Sequence, residues 1–225
     1  RVIISQLPDS EIDRVVLPGI NDSEISSEDL MISAGSATTS ALALALTVVD
    51  DAFGVESASL TTVHAYTSDQ ALQDYAGTDF RSSRSAAENI IPNTNQSAAW
   101  LERVMPRFAG KLSGFALNVP VQKGNLLDLD LVVTDSGATV EDINAAMEAA
   151  RERWPGVLEV THDPIVSSDV IGNACSLLFD SKGTIKAGQR IFKLLGWYES
   201  LGHAARILDV VRLYQAENSC QGESS

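Results

Sequence analysis

The chain consists of short apolar runs separated by polar turns, with one continuous apolar run near its start. Four early runs are typical of strands because β-branched and apolar residues cluster between turn residues: "RVIIS", "RVVLPGI", "MIS" and "SASLTTVHAY". The apolar run "SALALALTVV" follows Ser36, a residue type that caps helices, and "FGV" ends it. We therefore predict a helix from about Ser36 to Asp51.

The second half of the chain predicts a sheet with helices beside it. The segment "NLLDLDLVVT" alternates Leu with Asp, so one face of this strand is expected to contact water. Residues 67–92 show little periodicity and predict a long connection, a kind of loop that is often functional. The remaining elements are predicted as strands at "KLSGFALNVPV", "VLEVT", "CSLLFD" and "RIFKLLGWY", and as helices at 95–105, "VEDINAAMEAARERW" and "ESLGHAARILDVVRLYQA". This pattern indicates an α+β fold, with a mainly antiparallel sheet and helices packed on one face.

Composition and charge exclude several classes of partner. The chain has 225 residues and a formal net charge of -14, which disfavours nucleic acids and anionic membrane surfaces. The apolar runs are too short to span a membrane, and no signal peptide is recognisable, so we expect a cytoplasmic protein without a membrane role. Cys175 and Cys220 lie far apart and show no metal-ligand spacing, so no metal site is expected.

Three features of the sequence could carry chemistry. His64 ends a predicted strand where the long loop begins, although a half-buried structural histidine would occupy the same place. The start of the predicted helix would suit an anion or a reactive thiolate, but Ala37 stands there and the neighbouring hydroxyls are typical caps. Arg81 and Arg84 could hold an anion or a neighbouring subunit, or could be solvated loop charges.

Several longer motifs occur in a fixed order: "SATTS", "TTVHAYTSDQ", "RSSRSAAENIIP", "GKLSGFALNVP", "VSSDVIGN" and "WYES". Together they resemble the catalytic domain of the glyceraldehyde-3-phosphate dehydrogenase family. The resemblance implies that residues 1–33 are the last strand of a nucleotide-binding domain and a linking segment, 34–217 the catalytic domain and 218–225 a disordered tail. Because "RVIIS" is typical of a buried strand from its first residue, we expect a further segment to precede it.

The resemblance also implies a mechanism for an intact member of the family. A cysteine at the helix start attacks the aldehyde, and a histidine after the "TTV" strand accepts the thiol proton. Hydride passes to NAD, and phosphate then releases the acyl group. The long loop lines the cofactor pocket of a neighbouring subunit in a tetramer, so a homo-oligomer or a complex with another protein chain is expected.

Some residues of this chain match that machinery. His64 matches the catalytic histidine, and Thr67 matches a threonine that helps to hold substrate phosphate. Arg81 and Arg84 match arginines of the long loop. The candidate substrate-binding or anion-binding side chains are therefore Thr38 at the helix start, Thr67, Arg81 and Arg84.

Other positions depart from the family's pattern. Ala37 occupies the position of the catalytic cysteine, and Ser200 occupies that of the asparagine that orients the nicotinamide. The family's two phosphate sites are also changed, at Asn118 and at Asn95 with Gln96. Ser40 replaces the asparagine that ends the family's motif "SCTTN". Because each change removes a different function, we interpret the site as degenerate, with His64 a vestigial base.

Three hypotheses about function remain open at this point. The first is a non-catalytic relative retained as an oligomerising or partner-binding scaffold. The second is an enzyme of altered chemistry in which His64 acts as a general base. The third is a fragment or subunit of a split NAD-dependent aldehyde oxidoreductase. No glycine-rich phosphate-binding turn follows a strand in this chain, so NAD(P) is expected only if another segment supplies the Rossmann domain.

Overall fold

The computed structural model describes residues 1–222, and within them the chain forms ten β-strands and four α-helices. The strands are β1 (Val2–Ile4), β2 (Arg14–Val15), β3 (Met31–Ser33), β4 (Val55–Ala65), β5 (Ile91–Thr94), β6 (Leu112–Val119), β7 (Asn125–Val133), β8 (Leu158–Thr161), β9 (Leu177–Ala187) and β10 (Ile191–Tyr198). The helices are α1 (Ala37–Phe53), α2 (Ser97–Val104), α3 (Val140–Ala150) and α4 (Ser200–Gly222). The backbone of α4 is thus helical over the first part of the tail predicted at 218–225, and residues 223–225 lie outside the described residues.

Strands β4 to β10 form one seven-stranded sheet in the order β5-β6-β4-β7-β10-β9-β8. The β4–β6 and β8–β9 pairs are parallel and the other four pairs are antiparallel. The predicted α+β class with a mainly antiparallel sheet is therefore confirmed. The alternation in β7 defines the two faces: Leu127, Leu129 and Leu131 are 0–1% exposed, whereas Asp128 and Asp130 point to the other face.

Helix α1 lies on the buried face of this sheet and is itself buried from Thr38 to Val49. Ser36 caps it as predicted, because its Oγ accepts the backbone N–H of Thr39 at 3.1 Å. Gly54 ends it with a φ of +66°, which an L side chain rarely adopts. Helices α2 and α3 contact both α1 and the sheet, so α1, α2 and α3 form one layer on one face, as predicted. None of the helices in residues 1–222 is both long and apolar enough to cross a membrane.

Strand β5 is absent from the sequence prediction. It ends the connection predicted at 67–92 and pairs with β6 at the edge of the sheet. Pro92 has no N–H to donate to a neighbouring strand, which an edge strand tolerates. Three of its four residues are exposed, so the strand has no apolar alternation that the sequence could reveal.

Residues 1–33 form a second sheet of three parallel strands in the order β1-β3-β2. One face packs on α4 through an apolar cluster that contains Ile32, Val210 and Tyr214. On the other face Val2 and Met31 are neighbours in register and remain 58% and 51% exposed. The assignment of this segment to a nucleotide-binding domain stays a prediction.

A buried carboxylate joins α4 to the small sheet. Asp29 is 5% exposed and accepts hydrogen bonds from Arg14 Nε at 2.8 Å and Tyr214 Oη at 2.5 Å. The backbone N–H of Ser26 adds a third at 2.9 Å. Burial alone would raise the pKa of Asp29, but these hydrogen bonds and the Arg14 charge outweigh it and hold the pKa below its usual range.

We expect Asp29→Asn to lower the free energy of unfolding by about 2–3 kcal/mol at pH 7, because charge-assisted hydrogen bonds are lost. The lowered pKa means that the contribution of Asp29 is complete above the unfolded pKa of about 3.9 and is lost as the pH falls through the folded value. Urea unfolding from pH 7 downwards should therefore show the variant and the native chain converging below about pH 4. Asp163→Asn, at an exposed residue, is the matched control and should change stability by less than about 0.5 kcal/mol. A difference in unfolding free energy between the two chains that stays constant down to low pH would contradict this role of the Asp29 carboxylate.

Candidate active site

The predicted site lies where the buried face of the large sheet meets the start of α1. Thr62 and His64 occupy inward positions near the end of β4, and Tyr198 is the last residue of β10. The ring centroids of His64 and Tyr198 are 6.4 Å apart, with the planes inclined at 65°. The fold thus brings two strand ends and the first turn of α1 together.

The first turn of α1 offers no nucleophile. Its first helical residue is Ala37, whose methyl group can neither attack a carbonyl nor exchange a proton. The Oγ of Ser36 lies 2.8 Å from the Oγ1 of Thr39, in addition to accepting the Thr39 N–H. These two hydroxyls therefore cap the helix, which is their common role at such a position.

A buried hydroxyl network surrounds Tyr198, which is 2% exposed. Its Oη lies 2.9 Å from the Oγ1 of Thr38 and also hydrogen-bonds to Thr62. Burial raises the pKa of Tyr198, and the two threonine hydroxyls only partly oppose this, so the phenol stays protonated. Thr38, predicted to bind an anion, is thus engaged inside the protein. The sequence analysis did not single out Thr62 or Tyr198, because their contacts join residues 136 and 160 positions apart.

The orientation of His64 is set by the main chain. Its Nδ1 lies 2.6 Å from the carbonyl oxygen of Ala65, and since a carbonyl can only accept, this nitrogen carries the hydrogen. Nε2 is then the ring atom able to accept a proton. Within residues 1–222 no carboxylate oxygen lies within 4 Å of either ring nitrogen, so no acid partner supports this histidine as a base.

Asn118 lies beside His64, paired with it in the β4–β6 register, and is 5% exposed. Its Oδ1 accepts a hydrogen bond from Asn93 Nδ2 at 3.2 Å, and its Nδ2 donates to the Ala65 carbonyl at 3.4 Å. The position expected to hold a phosphate-binding arginine is therefore filled by a neutral amide that bonds to the protein itself. Such an amide cannot supply the charge that grips an anion strongly.

The long loop uses its polar residues in its own contacts. The Arg84 Nε donates to Asp74 at 3.0 Å. The backbone N–H and the hydroxyl of Thr67 both donate to the Oε1 of Gln70, at 3.1 Å and 3.4 Å. The backbone N–H of Ser85, more than the Arg84 charge, lowers the pKa of Asp74. Arg81 is exposed. The structure therefore does not gather Thr67, Arg81 and Arg84 around one anion.

Two predicted or newly observed polar residues, Ser200 and His203, lie at the start of α4. Ser200, at the predicted nicotinamide-orienting position, is exposed. His203, which the sequence analysis did not single out, places Nε2 2.8 Å from the carbonyl oxygen of Ser5, just after β1. Burial lowers the pKa of His203 more than this hydrogen bond raises it, so it is held in the neutral form.

Cysteine and metal chemistry receive no support in the described part of the chain. Cys175 is a buried free thiol, and burial raises its pKa to about 12, which leaves it protonated and unreactive. Among residues 1–218, whose side chains are described, no group of three or more His, Cys, Asp and Glu side chains is arranged to hold a metal ion. Cys220 falls in the predicted tail, where the side chains are outside the description.

A family model described as glyceraldehyde 3-phosphate dehydrogenase, C-terminal domain, matches residues 36–200. This range begins at the Ser36 cap of α1, contains the whole seven-stranded sheet and ends at the first residue of α4. The chain belongs to the glyceraldehyde-3-phosphate dehydrogenase family. The resemblance inferred from the sequence motifs is therefore confirmed.

Named glyceraldehyde-3-phosphate dehydrogenases are similar along nearly all of this chain. That of Mycobacterium avium is 42% identical over 215 residues, which cover 95% of this chain and 62% of the relative. That of Borreliella burgdorferi is 37% identical over 215 residues (94% and 64%), and glyceraldehyde-3-phosphate dehydrogenase 2 of Streptomyces arenae is 39% identical over 214 residues (94% and 64%). The chain thus spans less than two thirds of the length of these family members.

In this member of the glyceraldehyde-3-phosphate dehydrogenase family we expect the Tyr198 hydroxyl to be structural. Tyr198→Phe leaves the buried Thr38 and Thr62 hydroxyls without their shared partner and should lower the free energy of unfolding by about 1–3 kcal/mol. Guanidinium unfolding followed by circular dichroism measures this. Tyr66→Phe, at a half-buried ring in the same region, is the control and should cost less than about 0.5 kcal/mol. Equal stability of the Tyr198 variant and the native chain would contradict a structural role.

Proposed function

We propose that this chain is a non-catalytic member of the glyceraldehyde-3-phosphate dehydrogenase family, retained as an oligomerising or partner-binding scaffold. The observation that carries the proposal is Ala37 at the first helical position of α1. Without a thiolate there, no covalent intermediate can form with an aldehyde. Loss of a nucleophile typically costs several orders of magnitude in rate.

The contacts around Ala37 also support a non-catalytic role. The nearby hydroxyls of Ser36 and Thr38 are held by Thr39 and Tyr198, so neither is poised for activation by His64. A general base needs its substrate proton within hydrogen-bond reach and is usually oriented by a third group. These features disfavour the alternative of a His64-based enzyme with altered chemistry.

The contacts of the predicted anion-binding residues support a non-catalytic role as well. Asn118 bonds to Asn93 and the main chain, and Arg84 is paired with Asp74. A phosphate ester would have to displace these contacts and would gain little positive charge in return. We therefore interpret Thr38, Thr67, Arg81 and Arg84 as remnants of a substrate site.

A scaffold requires a surface, and the face of the large sheet opposite the helices offers one. We call this the open sheet face. Its most exposed apolar side chains are Phe115, Ile185 and Ile191, at 45%, 55% and 48%. Half-buried apolar residues continue the surface, namely Val63, Leu117, Leu126, Leu195 and Trp197. The strand register places Leu117, Val63, Leu126 and Trp197 side by side across four neighbouring strands. An apolar surface of this kind commonly marks a protein–protein interface, and a second copy of the chain is the expected partner.

A second candidate is a subunit or fragment of a split NAD-dependent aldehyde oxidoreductase, and the small sheet favours it. All-parallel sheets are normally covered on both faces, yet Val2, Leu30 and Met31 are 58%, 63% and 51% exposed. In residues 1–222, β1 also has a neighbour on one side only. An additional α/β segment would complete this sheet, but Ala37 argues against turnover in the completed assembly.

We assign no cofactor to this chain alone. A nicotinamide dinucleotide is usually held by a glycine-rich turn between a strand and a helix, and the sequence contains no such turn. Ser200 at the nicotinamide-orienting position is an exposed hydroxyl rather than an amide. NAD(P) is expected only where a Rossmann domain is supplied. The proposal places the protein in the cytoplasm, and its net charge of -14 supports the absence of nucleic-acid and membrane roles.

Ala37→Cys alone should not restore dehydrogenase activity, because the anion-binding and orienting positions remain changed. The test joins this chain, with and without Ala37→Cys, to the remaining part of the Mycobacterium avium relative and follows NADH formation from glyceraldehyde 3-phosphate. We expect the Ala37→Cys chimera to be at least about a thousandfold slower than the relative. Labelling both chimeras with iodoacetamide checks that the new thiol is accessible, because Cys175 and Cys220 are present in both and only the difference reports on position 37. A rate within about tenfold of the relative would overturn the non-catalytic assignment.

Charged substitutions on the open sheet face should prevent self-association. We expect Phe115→Asp combined with Ile191→Asp to shift the sedimentation coefficient of the oligomer to that of a monomer, because two carboxylates would have to be buried. Leu208→Asp, at a 57% exposed residue of α4, is the matched control and should leave the assembly unchanged. If the native chain sediments as a monomer, self-association through this face is ruled out.

A further inference from the structure

A groove runs between α2 and the segment that follows β1; we call it the α2 groove. A cavity of about 550 Å³ opens beside Pro8–Glu11 and the first part of α2, and a second of about 430 Å³ continues it along 11–15 to the end of α2. The two share Glu11, Trp100 and Arg103 in their walls, so they form one continuous depression. Of the residues assigned to the active site, Gln96 alone, at a changed phosphate-site position, is among the residues that line it.

The floor of the α2 groove is apolar and well supported. Ile12, Trp100 and Val104 are partly buried and pack against the main core. The Arg103 guanidinium lies 4.6 Å from the centroid of the Trp100 ring, so an aromatic and cationic surface stands in the middle of the groove. Aromatic residues that are half-exposed on a rigid helix are typical anchors of binding surfaces.

The rim of the groove is acidic, and its charges lack cationic partners. Asp9, Glu11, Asp13 and Glu24 are exposed, and within residues 1–222 none of them lies within 4 Å of a lysine or arginine nitrogen. The backbone N–H groups of Met31 and Leu30 lower the pKa of Asp13 and keep it ionised. Arg14, which also lines the groove, is already paired with Asp29. Four carboxylates therefore face a single uncommitted cation, Arg103.

The groove beside α3 shows that this arrangement is not general in the protein. That groove is also lined by several acidic residues, but Arg151 forms ion pairs with both Glu148 and Glu159, at 2.5 Å and 3.0 Å. Its charges are thus largely neutralised within the chain. The α2 groove combines an apolar floor with an uncompensated negative rim.

We propose that the α2 groove binds a short, extended, basic segment of a partner protein. Helix α2 has eight residues and is about 12 Å long, which matches roughly four residues of extended chain. Lysine or arginine side chains at the two ends of such a segment would meet Asp9 and Glu11 on one side and Asp13 and Glu24 on the other. An apolar residue between them would lie on Trp100. This inference gives the chemistry of a partner for the proposed scaffold role and rests on that role.

Fluorescence anisotropy tests the proposal with a fluorescein-labelled peptide of sequence Lys-Arg-Leu-Leu-Lys-Arg and the full chain. We expect saturable binding that weakens as salt is raised from about 50 to 150 mM, because exposed charges carry the attraction. Asp9→Asn with Glu11→Gln should weaken binding about fivefold or more. These side chains are exposed and make no contact that folding needs.

The matched control is Glu88→Gln with Glu141→Gln, which changes the net charge equally at exposed sites outside the groove. It should change the affinity by less than about twofold. Equal weakening by both pairs would mean that the peptide responds only to the overall charge, and this would overturn the proposal. No saturable binding would overturn it too, while the sedimentation and chimera experiments would still judge the scaffold role separately.

Discussion

Burial of helix α1 is the constraint on which the rest of the structure depends. Every residue from Thr38 to Val49 is buried, so the helix cannot slide or rotate without opening the core on several sides. The position of its first turn is therefore fixed by the packing of the core. Because β4 and β10 end at the same level, His64 and Tyr198 are held beside that turn whatever residue stands at position 37. The geometry of the site follows from the packing of one helix.

The same burial means that the stability of this fold does not depend on a nucleophile at position 37. Alanine is the most favourable residue for a helix, so Ala37 carries no penalty for stability. The Tyr198 hydroxyl, in contrast, is buried and must keep its partners Thr38 and Thr62, since an unsatisfied polar group costs about 1–3 kcal/mol. Stability alone is thus enough to retain the frame of an active site after its nucleophile is gone. A preserved frame is consequently weak support for preserved activity, and the identity of residue 37 is the stronger criterion.

The sequence predicted the features that depend on local patterns. Ser36 and the run after it place α1 within two residues of its observed end, and the Leu–Asp alternation of β7 separates the two faces of the sheet. The features it could not predict depend on contacts between distant residues. The Tyr214–Asp29 hydrogen bond joins residues 185 positions apart. Nothing in the spacing of Arg84 reveals that Asp74 engages it across the loop. Family motifs located the site, but its hydrogen bonds needed the structure.

The net charge of -14 bears on which surfaces of a scaffold can work together. Two acidic copies repel each other, so self-association requires a surface that is locally neutral. The open sheet face approaches this condition, because Lys193 forms ion pairs with both Asp128 and Asp130 and leaves a single net negative charge among the three. The α2 groove does not, because its carboxylates lack such a partner, and it would oppose a second copy while attracting a basic chain. In the proposed scaffold role, the distribution of a few cations would therefore favour a second copy at the open sheet face and a basic chain at the α2 groove.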